Sequence, residues 1–399
     1  MKRMLPLLLA FVCASLLRAD TVLVLPFFNQ TESANLDWIG ESIAENVGEA
    51  LASEGLLTID REDRLEVFRR LSVRPNAILT RATIIKAGQG LDASKVVWGY
   101  YELAPPEGGA GGPAAASRGS LRVNARLLDL RQMRRGPEYV ESGALEDLGA
   151  IETRLGWQTL QFLAPHTSPS EQEFLSARPP VRVDAMENYV RGLLATNAEQ
   201  QHRFFTQAAR LDERFSQPRY QLGKIYWKKK EYRVAAGWLV GVRRSDSHYL
   251  EAQFYLGLSK YYGGDFAGAE QCFRTVAASV PLNEVWNNLG AAQARQARGE
   301  AIESFRKALE GDDADPDYHF NIGYARWKAG QFDAAVESFR AALERNPEDA
   351  EATTYLGRAL KKDGPRPAEA KSGGLERLKT DYEERAYRAL KAELEGKRN

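Results

Sequence analysis

Small and large apolar residues recur in one fixed pattern along the second half of the chain. A glycine preceded by an apolar residue returns every 33 or 34 residues, at Gly223, Gly257, Gly290, Gly323 and Gly357. An alanine follows about twelve positions after each of the first four glycines, and a bulky apolar residue comes four positions later. Small residues let two helices approach closely, and large side chains fill the space beside them. The pattern therefore predicts antiparallel helix pairs that stack, because one pair cannot bury its own apolar face.

A weaker copy of the pattern, with Gly192, Phe205 and Ala208, precedes the clear ones. The predicted array covers residues 184–363, as about five helix pairs and a final half. The segment 364–399 follows as a loop and a helix, because the apolar residues of LERLKTDYEERAYRALKAEL (375–394) fall near one helical face. We expect this helix to cap the array by covering its last repeat.

The first half of the chain shows the shorter periods of strands. TVLVLPFFN (21–29) is a continuous apolar run typical of a buried strand, and LRVNARLLDL (121–130) alternates as a half-exposed strand does. Further strands are predicted within 56–60, 94–103 and 138–145, with helices at 36–55, 61–71, 81–91 and 145–163. This order predicts a mixed α/β domain with one sheet over residues 20–165, joined to the array by a linker, 166–183. The fold class is therefore α+β multidomain: a mixed α/β domain, an all-α solenoid and a capping helix.

The chain begins with the features of a secretory signal over residues 1–19. Lys2 and Arg3 precede an apolar run that is too short for a comfortable membrane span, and Ala19 offers a small residue for cleavage. A lipid anchor on Cys13 and a retained anchor helix are the alternatives. We expect export, to the periplasm or envelope of a bacterium, and no transmembrane span in the mature chain.

Composition and charge exclude several classes of function. A 44% hydrophobic, 27% charged chain is ordinary for a globular protein, and a formal net charge of +0 does not favour nucleic acid as a partner. The four histidines are scattered without ligand spacing, and Cys272 lies within the packing pattern. Nucleophile, zinc-protease and phosphate-loop motifs are absent. The sequence predicts no catalytic residue, no metal site and no cofactor.

Both halves resemble known families. The glycine and alanine spacing closely resembles the tetratricopeptide repeat (TPR). VLPFFN (24–29), DWIGESIAENV (37–47), IDRED (59–63) and VVWGYYEL (96–103) resemble the amino-terminal domain of TolB-like proteins and, more loosely, curli-secretion-type lipoproteins. The first resemblance implies a groove that binds proteins or peptides. The second implies docking to an envelope assembly, without a shared reaction.

The resemblance to TPRs implies that the first helix of each pair lines the groove. Aromatic and basic side chains dominate the positions expected to face inward, so we expect a partner segment with apolar side chains and some negative charge. An alternative is that Trp227, Trp327 and Tyr261 only pack between repeats. The predicted groove residues are Tyr220, Lys224, Trp227, Lys228, Phe254, Tyr261, Tyr262, Asn287, Arg295, Phe320, Tyr324, Trp327, Lys328 and Arg358.

The leading hypothesis is an exported, non-catalytic scaffold for protein–protein interaction. One alternative is a small-ligand sensor or carrier with a polar pocket near Asp60 and Arg61. A second is an oligomeric structural module whose front domains self-associate, and the least favoured is an enzyme.

Overall fold

The computed structural model describes residues 21–31, 33–74, 77–104, 120–166, 168–366, 374–383, 386–388, 390, 391 and 394. The predicted signal segment, with Cys13, lies outside these residues. Within them, no helix is long and apolar enough to cross a bilayer. The predicted fold class is confirmed in its two main parts, a mixed sheet domain followed by a helical solenoid.

One mixed sheet forms the centre of the front domain. Its strands are β1 (Thr21–Val24), β2 (Phe28–Asn29), β3 (Leu57–Thr58), β4 (Lys95–Ala104), β5 (Ser120–Asp129) and β6 (Arg134–Ala144). Their order is β3-β1-β4-β5-β6, with β2 also paired to β4. β1 is parallel to β3 and β4, whereas β4, β5 and β6 are antiparallel. The segment predicted as an alternating strand, 121–130, forms β5 and pairs antiparallel with both of its neighbours.

Helices cover both faces of this sheet. They are α1 (Trp38–Ala52), α2 (Arg61–Arg70), α3 (Arg81–Gly90) and α4 (Leu148–Leu163). Val22 and Val24 belong to the core shared with α1 and α4, while Leu23 and Leu25 belong to the core shared with α2 and α3. Successive side chains of a strand point to opposite faces, so a strand with helices on both sides is apolar throughout.

Twelve consecutive helices follow. They are α5 (Glu171–Ala177), α6 (Val183–Leu194), α7 (Ala198–Leu211), α8 (Gln217–Lys228), α9 (Tyr232–Leu239), α10 (Tyr249–Tyr262), α11 (Phe266–Ser279), α12 (Asn283–Arg295), α13 (Ala301–Gly311), α14 (Pro316–Lys328), α15 (Phe332–Arg345) and α16 (Ala350–Leu360). From α6 to α15 they form five antiparallel pairs, and α16 stands in the position of a sixth first helix. The even-numbered helices are the first helices of their pairs.

The periodic glycines lie where the two helices of a pair cross. A Cβ atom on Gly257 would lie 2.7 Å from the ring of Phe273, and one on Gly290 would lie 2.7 Å from the ring of Phe305. Both rings are fully buried. Gly357 differs, since among the described residues no atom outside its own helix would lie within 4 Å of an added Cβ. Within the described part of the chain, no second helix packs against this last glycine.

The segment predicted as a linker, 166–183, is packed against both halves. It contains α5, which begins with a capping box between Ser170 and Glu173. Phe174 is 1% exposed and belongs to a core that continues from the sheet into α6, α7 and α8. Arg178 donates to Ser53 Oγ over 2.6 Å and pairs with Glu54. The front domain and the first repeats therefore share one core.

The tail does not form the predicted cap over the last repeat. Residues 374–379 have no helical structure, and the helical part is found at 386–388, 390, 391 and 394. The extended residues cross the first helices of several repeats. The spacing of apolar residues over 375–394 is that of an amphipathic helix. The backbone of Arg377 and Lys379 instead forms hydrogen bonds with side chains of the solenoid.

A polar cluster also joins the two halves. His248, immediately before α10, stacks on Tyr220 with ring centroids 4.8 Å apart, and its Nδ1 lies 3.8 Å from Glu49 Oε1 of α1. The same nitrogen lies 3.5 Å from Asp246 Oδ1. Burial opposes a charge on the imidazole, but the hydrogen bond with Asp246, and then the charge of Glu49, outweigh it and raise the pKa of His248 from 6.5 to about 9. Burial also raises the pKa of Glu49, to about 8, so Asp246 is the main anionic partner of the imidazolium at pH 6.

Gly257→Ala and Gly357→Ala are expected to change stability in opposite directions. Alanine gains about 0.5–1 kcal/mol over glycine in a helix. At position 257 the methyl group also meets Phe273, and overpacking of a core costs about 1–3 kcal/mol. Thermal unfolding followed by circular dichroism should show a lower midpoint for Gly257→Ala and an equal or higher midpoint for Gly357→Ala. A lower midpoint in both variants would contradict the account of the periodic glycines.

His248→Gln tests the cluster between the halves. Because the pKa is raised on folding, the stabilisation by His248 is full below about pH 6.5 and is lost as the pH rises to about 9. The variant should unfold at a lower temperature than the wild type at about pH 6, and the difference should be smaller near pH 10, where only the stacking on Tyr220 is lost. A difference that does not depend on pH would show that the imidazolium charge is not involved.

Candidate peptide-binding groove

The tail segment, defined as residues 374–382, lies across the first helices of four consecutive repeats. Its hydrogen bonds, ion pairs and ring contacts join it to α10, α12, α14 and α16 and to the residues that cap them. It runs from α16 back towards α10, opposite to the order of the repeats. The face of these four helices that contacts it is called the groove below.

Three asparagines of the groove hold the backbone of the tail segment. Asn321 Oδ1 accepts from the Arg377 N–H over 2.8 Å, and its Nδ2 donates to the Arg377 carbonyl over 2.7 Å. Asn288 makes the same pair of bonds with Lys379, at 2.8 and 2.7 Å. Asn287 donates to the Arg377 carbonyl over 2.8 Å. Because these bonds involve alternate residues and only main-chain atoms of the segment, they hold an extended backbone whichever side chains it carries.

One acidic side chain of the segment, Glu376, points into a basic, aromatic pocket. Glu376 has a fully buried side chain, with its carboxylate 3.4 Å from Lys328 Nζ and 4.0 Å from Arg295 Nη1. The Tyr261 hydroxyl lies 3.5 Å from the same carboxylate. Burial, and then the negative charge of Glu376, raise the pKa of Tyr261, so its hydroxyl stays protonated as a donor.

Arg377 points to the opposite edge of the groove. Its guanidinium bonds both carboxylate oxygens of Asp349, over 2.6 and 2.9 Å, and reaches Glu351 at 3.0 Å and Asp317 at 3.2 Å. It also lies over the ring of Phe320, 3.6 Å from the centroid. The hydrogen bonds from Arg377 hold the pKa of Asp349 below its usual range. A bidentate pair with a carboxylate is the strongest of these contacts.

Lys379 uses the same acidic edge. Its Nζ lies 2.6 Å from Asp315 Oδ2 and 2.7 Å from Asp317 Oδ2, and it sits over the ring of Tyr318 at 5.2 Å. These carboxylates stand at the N-terminal end of α14. The groove thus has a basic pocket on one side and an acidic edge on the other.

Apolar side chains of the tail fill the space between the charged contacts. Leu375 packs against the cluster formed by α14, α15 and α16, and Leu378 packs against the cluster centred on α10, α11 and α12. The Tyr382 ring meets the buried Phe254 edge-on at 4.9 Å and lies 4.9 Å from Tyr387.

Beyond the segment, the tail reaches the front domain. Tyr387 is 1% exposed. Lys391 Nζ donates to the Ser247 carbonyl over 2.7 Å and lies 3.7 Å from Glu251 of α10. Arg388 Nη1 lies 2.8 Å from Asp60 Oδ2, at the start of α2. The end of the tail therefore contacts both halves of the chain.

The predicted groove residues divide into three sets. The first set contacts the tail segment: Phe254, Tyr261, Asn287, Arg295, Phe320 and Lys328. The second lies in or beside the core between α14 and α16: Tyr324, Trp327 and Arg358. The third lies towards the first repeats: Tyr220, Lys224, Trp227, Lys228 and Tyr262.

Trp327 is a packing residue rather than a contact for a partner. It is 1% exposed, meets Tyr355 at 4.9 Å, and donates from Nε1 to the Asp363 carbonyl over 2.8 Å. Tyr261 contacts the tail, so the packing alternative does not describe it fully. Trp227 is half-buried against Tyr232 and Tyr262, with centroids 5.2 and 5.7 Å away.

Several residues of the groove are not among those predicted from the sequence. Asn288 and Asn321 stand two positions before the periodic glycines of their repeats, a spacing that was available in the sequence. The acidic edge, with Asp317 and Asp349, was missed because only positions near the middle and the C-terminal end of each first helix were expected to face inward. The sequence predicted a ligand with some negative charge. This prediction is too narrow, because the groove contacts one acidic side chain of the tail segment, Glu376, and two basic ones, Arg377 and Lys379.

Other chemical groups of the solenoid serve its fold. Burial raises the pKa of the Cys272 thiol to about 11, which makes it a weak nucleophile at neutral pH. His319 Nε2 lies 2.8 Å from the Asp313 carbonyl. Among the described residues, no three His, Cys, Asp or Glu side chains are grouped so that they could hold a metal ion.

The stacked helices from α10 to α16 match the tetratricopeptide repeat. The tetratricopeptide repeat family model matches residues 254–319 and 320–370, which include the whole groove from Phe254 of α10 onwards. Proteins of this repeat class mediate protein–protein interaction and peptide binding. The match does not extend to the front domain, whose resemblance to TolB-like proteins stays a prediction.

Solved structures are similar to the repeats at low identity. One is YrrB, described as a TPR protein with an unusual peptide-binding site, at 18% identity over 50% of this chain and 91% of that one, with a TM-score of 0.36. Another is MamA from Desulfovibrio magneticus RS-1, at 20% identity over 43% and 99% of the two chains, with a TM-score of 0.37. No curated protein sequence matches this chain.

Asn321→Leu should loosen the tail segment. The change keeps the number of side-chain heavy atoms but removes the bonds to the N–H and carbonyl of Arg377 and the bond to Asn287, and each lost bond costs about 1 kcal/mol. Hydrogen exchange followed by mass spectrometry should show amides of residues 374–383 exchanging about ten times faster or more, since 1.4 kcal/mol corresponds to a factor of ten. Asn346→Leu, at the exposed end of α15, is the matched control and should leave the tail unchanged. Equal protection of the tail in both variants would rule out the asparagine contacts.

Proposed function

We propose that this protein is a non-catalytic interaction scaffold whose groove binds an extended segment of a partner protein. The observation that carries the proposal is the groove's use of Asn287, Asn288 and Asn321 to bind a backbone at alternate residues. Main-chain bonds of this kind supply affinity, and pockets for the side chains supply specificity. The matched repeat family belongs to the same class of function.

We further propose that the chain is exported and that the front domain docks to an envelope assembly. This part rests on the leader at 1–19 and on the resemblance to TolB-like proteins. The alternative of a small-ligand pocket near Asp60 and Arg61 gains no support. Asp60 pairs with Arg388, and Arg61 pairs with Glu41 over 2.6 Å, so these groups are used within the fold. Self-association of the front domain stays a prediction.

Affinity capture from the native host tests the proposal. The full chain is compared with Asn288→Leu plus Asn321→Leu, which removes the backbone bonds, and with the control Asn346→Leu. Proteins that depend on the groove should be recovered from the envelope fraction by the wild type and the control, and reduced about tenfold or more with the double variant. Equal recovery with all three chains would overturn the groove, and recovery from the cytosolic fraction alone would overturn the location.

A further inference from the structure

We propose that the tail segment is an internal competitor for the groove. The partner, on this proposal, is an extended segment with the same side-chain order: leucine, acid, base, leucine, base, and an aromatic residue three positions on. The inference rests on the proposed function, and it adds the chemistry of the partner and the regulation of the site.

The side-chain order follows from the polarity of the two edges. Residue 376 points into the pocket of Tyr261, Arg295 and Lys328, where its side chain is fully buried. Residue 377 points to the other edge, against Asp349 and its neighbours. A segment with these two charges exchanged would bury a cation beside two cations and an anion beside carboxylates. Like charges in contact are a strong means of rejecting wrong partners.

The hydrophobic positions add a second requirement. Leu375 and Leu378 are three residues apart and pack on different clusters of the solenoid. Tyr382 then meets Phe254 of α10. A partner with polar residues at these three positions would leave the apolar parts of the groove exposed to water.

Competition follows from the covalent connection. A tethered segment has an effective concentration of roughly millimolar when its connection spans the site. A partner in solution with the same contacts must therefore displace a ligand that is always present. The apparent dissociation constant of the partner equals its intrinsic value divided by the fraction of time that the groove is open, so a mostly closed groove binds it more weakly.

The far end of the tail couples the groove to the front domain. Arg388 pairs with Asp60, and Lys391 contacts Ser247 in the loop between α9 and α10. The tail segment anchors the far end of the tail, and this end contributes to the contact between the two halves. When a partner displaces the tail segment, the far end is less firmly anchored. Binding of a partner thereby changes the surface around Asp60.

Fluorescence anisotropy with labelled peptides tests the proposal on the full chain. The probe is the peptide GLERLKTDYE, which copies residues 374–383, and the control peptide GLRELKTDYE has the same composition with the first acid and base exchanged. The proteins are the wild type and a chain with Glu376→Arg plus Arg377→Glu, in which the tail carries the wrong charge order. A third protein adds Asn288→Leu and Asn321→Leu to the exchanged tail.

The exchanged-tail chain should bind the probe at least about tenfold more tightly than the wild type does. It should bind the control peptide about tenfold or more weakly than the probe. The third protein should bind neither peptide. Circular dichroism melts establish that each chain is folded, and Leu378→Asp alone replaces the exchanged tail if that chain does not fold.

Each contrary result has a separate meaning. If a folded exchanged-tail chain binds neither peptide, the groove does not take a segment in trans and the proposed function fails. If it binds both peptides equally, the groove binds peptides but the charge order is wrong. If the wild type binds the probe as tightly as the exchanged-tail chain, the tail is not a competitor.

Discussion

Three asparagine side chains, Asn287, Asn288 and Asn321, lie buried beneath the tail segment and bond its backbone, and the architecture of the C-terminal half depends on these bonds. All three are fully buried. A buried amide left without a partner costs about 1–3 kcal/mol, so an empty groove would have to be hydrated or would lose stability. The tail segment meets the need with main-chain atoms. The groove is therefore most stable when it is filled, and the same chemistry that binds the tail is available to a partner.

The two halves of the chain form one packed unit around this groove. The core of the sheet continues through α5 into the first repeats, and the far end of the tail returns to the front domain at Asp60. Repeat arrays are stabilised by contacts between neighbours and need their ends covered. Here the front domain covers one end of the array, while the tail lies along the first helices instead of over the last repeat.

The periodic parts of the fold were predictable from the sequence. Gly257 and Gly290 recur because two helices cross there, and Val22, Leu23 and Val24 of β1 are all apolar because the strand has helices on both faces. The extended tail was not predictable, because the spacing of its apolar residues is that of an amphipathic helix. The asparagines that bind it are also distant in the sequence: Asn288 and its partner Lys379 are about 90 residues apart. Phe254 and Phe320 were predicted as groove residues, whereas Asp349 was missed because its role depends on Arg377. Contacts between distant segments leave no local period in a sequence.

Carbodiimide cross-linking followed by mass spectrometry tests the central claim most directly. This reagent joins an amine to a carboxylate in contact with it, and Lys379 Nζ lies 2.6 and 2.7 Å from Asp315 and Asp317. An equal mixture of isotopically light and heavy chains separates links within a chain from links between two chains. The account predicts links from Lys379 to Asp315 or Asp317 in which both linked peptides are light or both are heavy. Mixed-isotope links, or a Lys379 that links to other carboxylates, would contradict a groove filled by the chain's own tail.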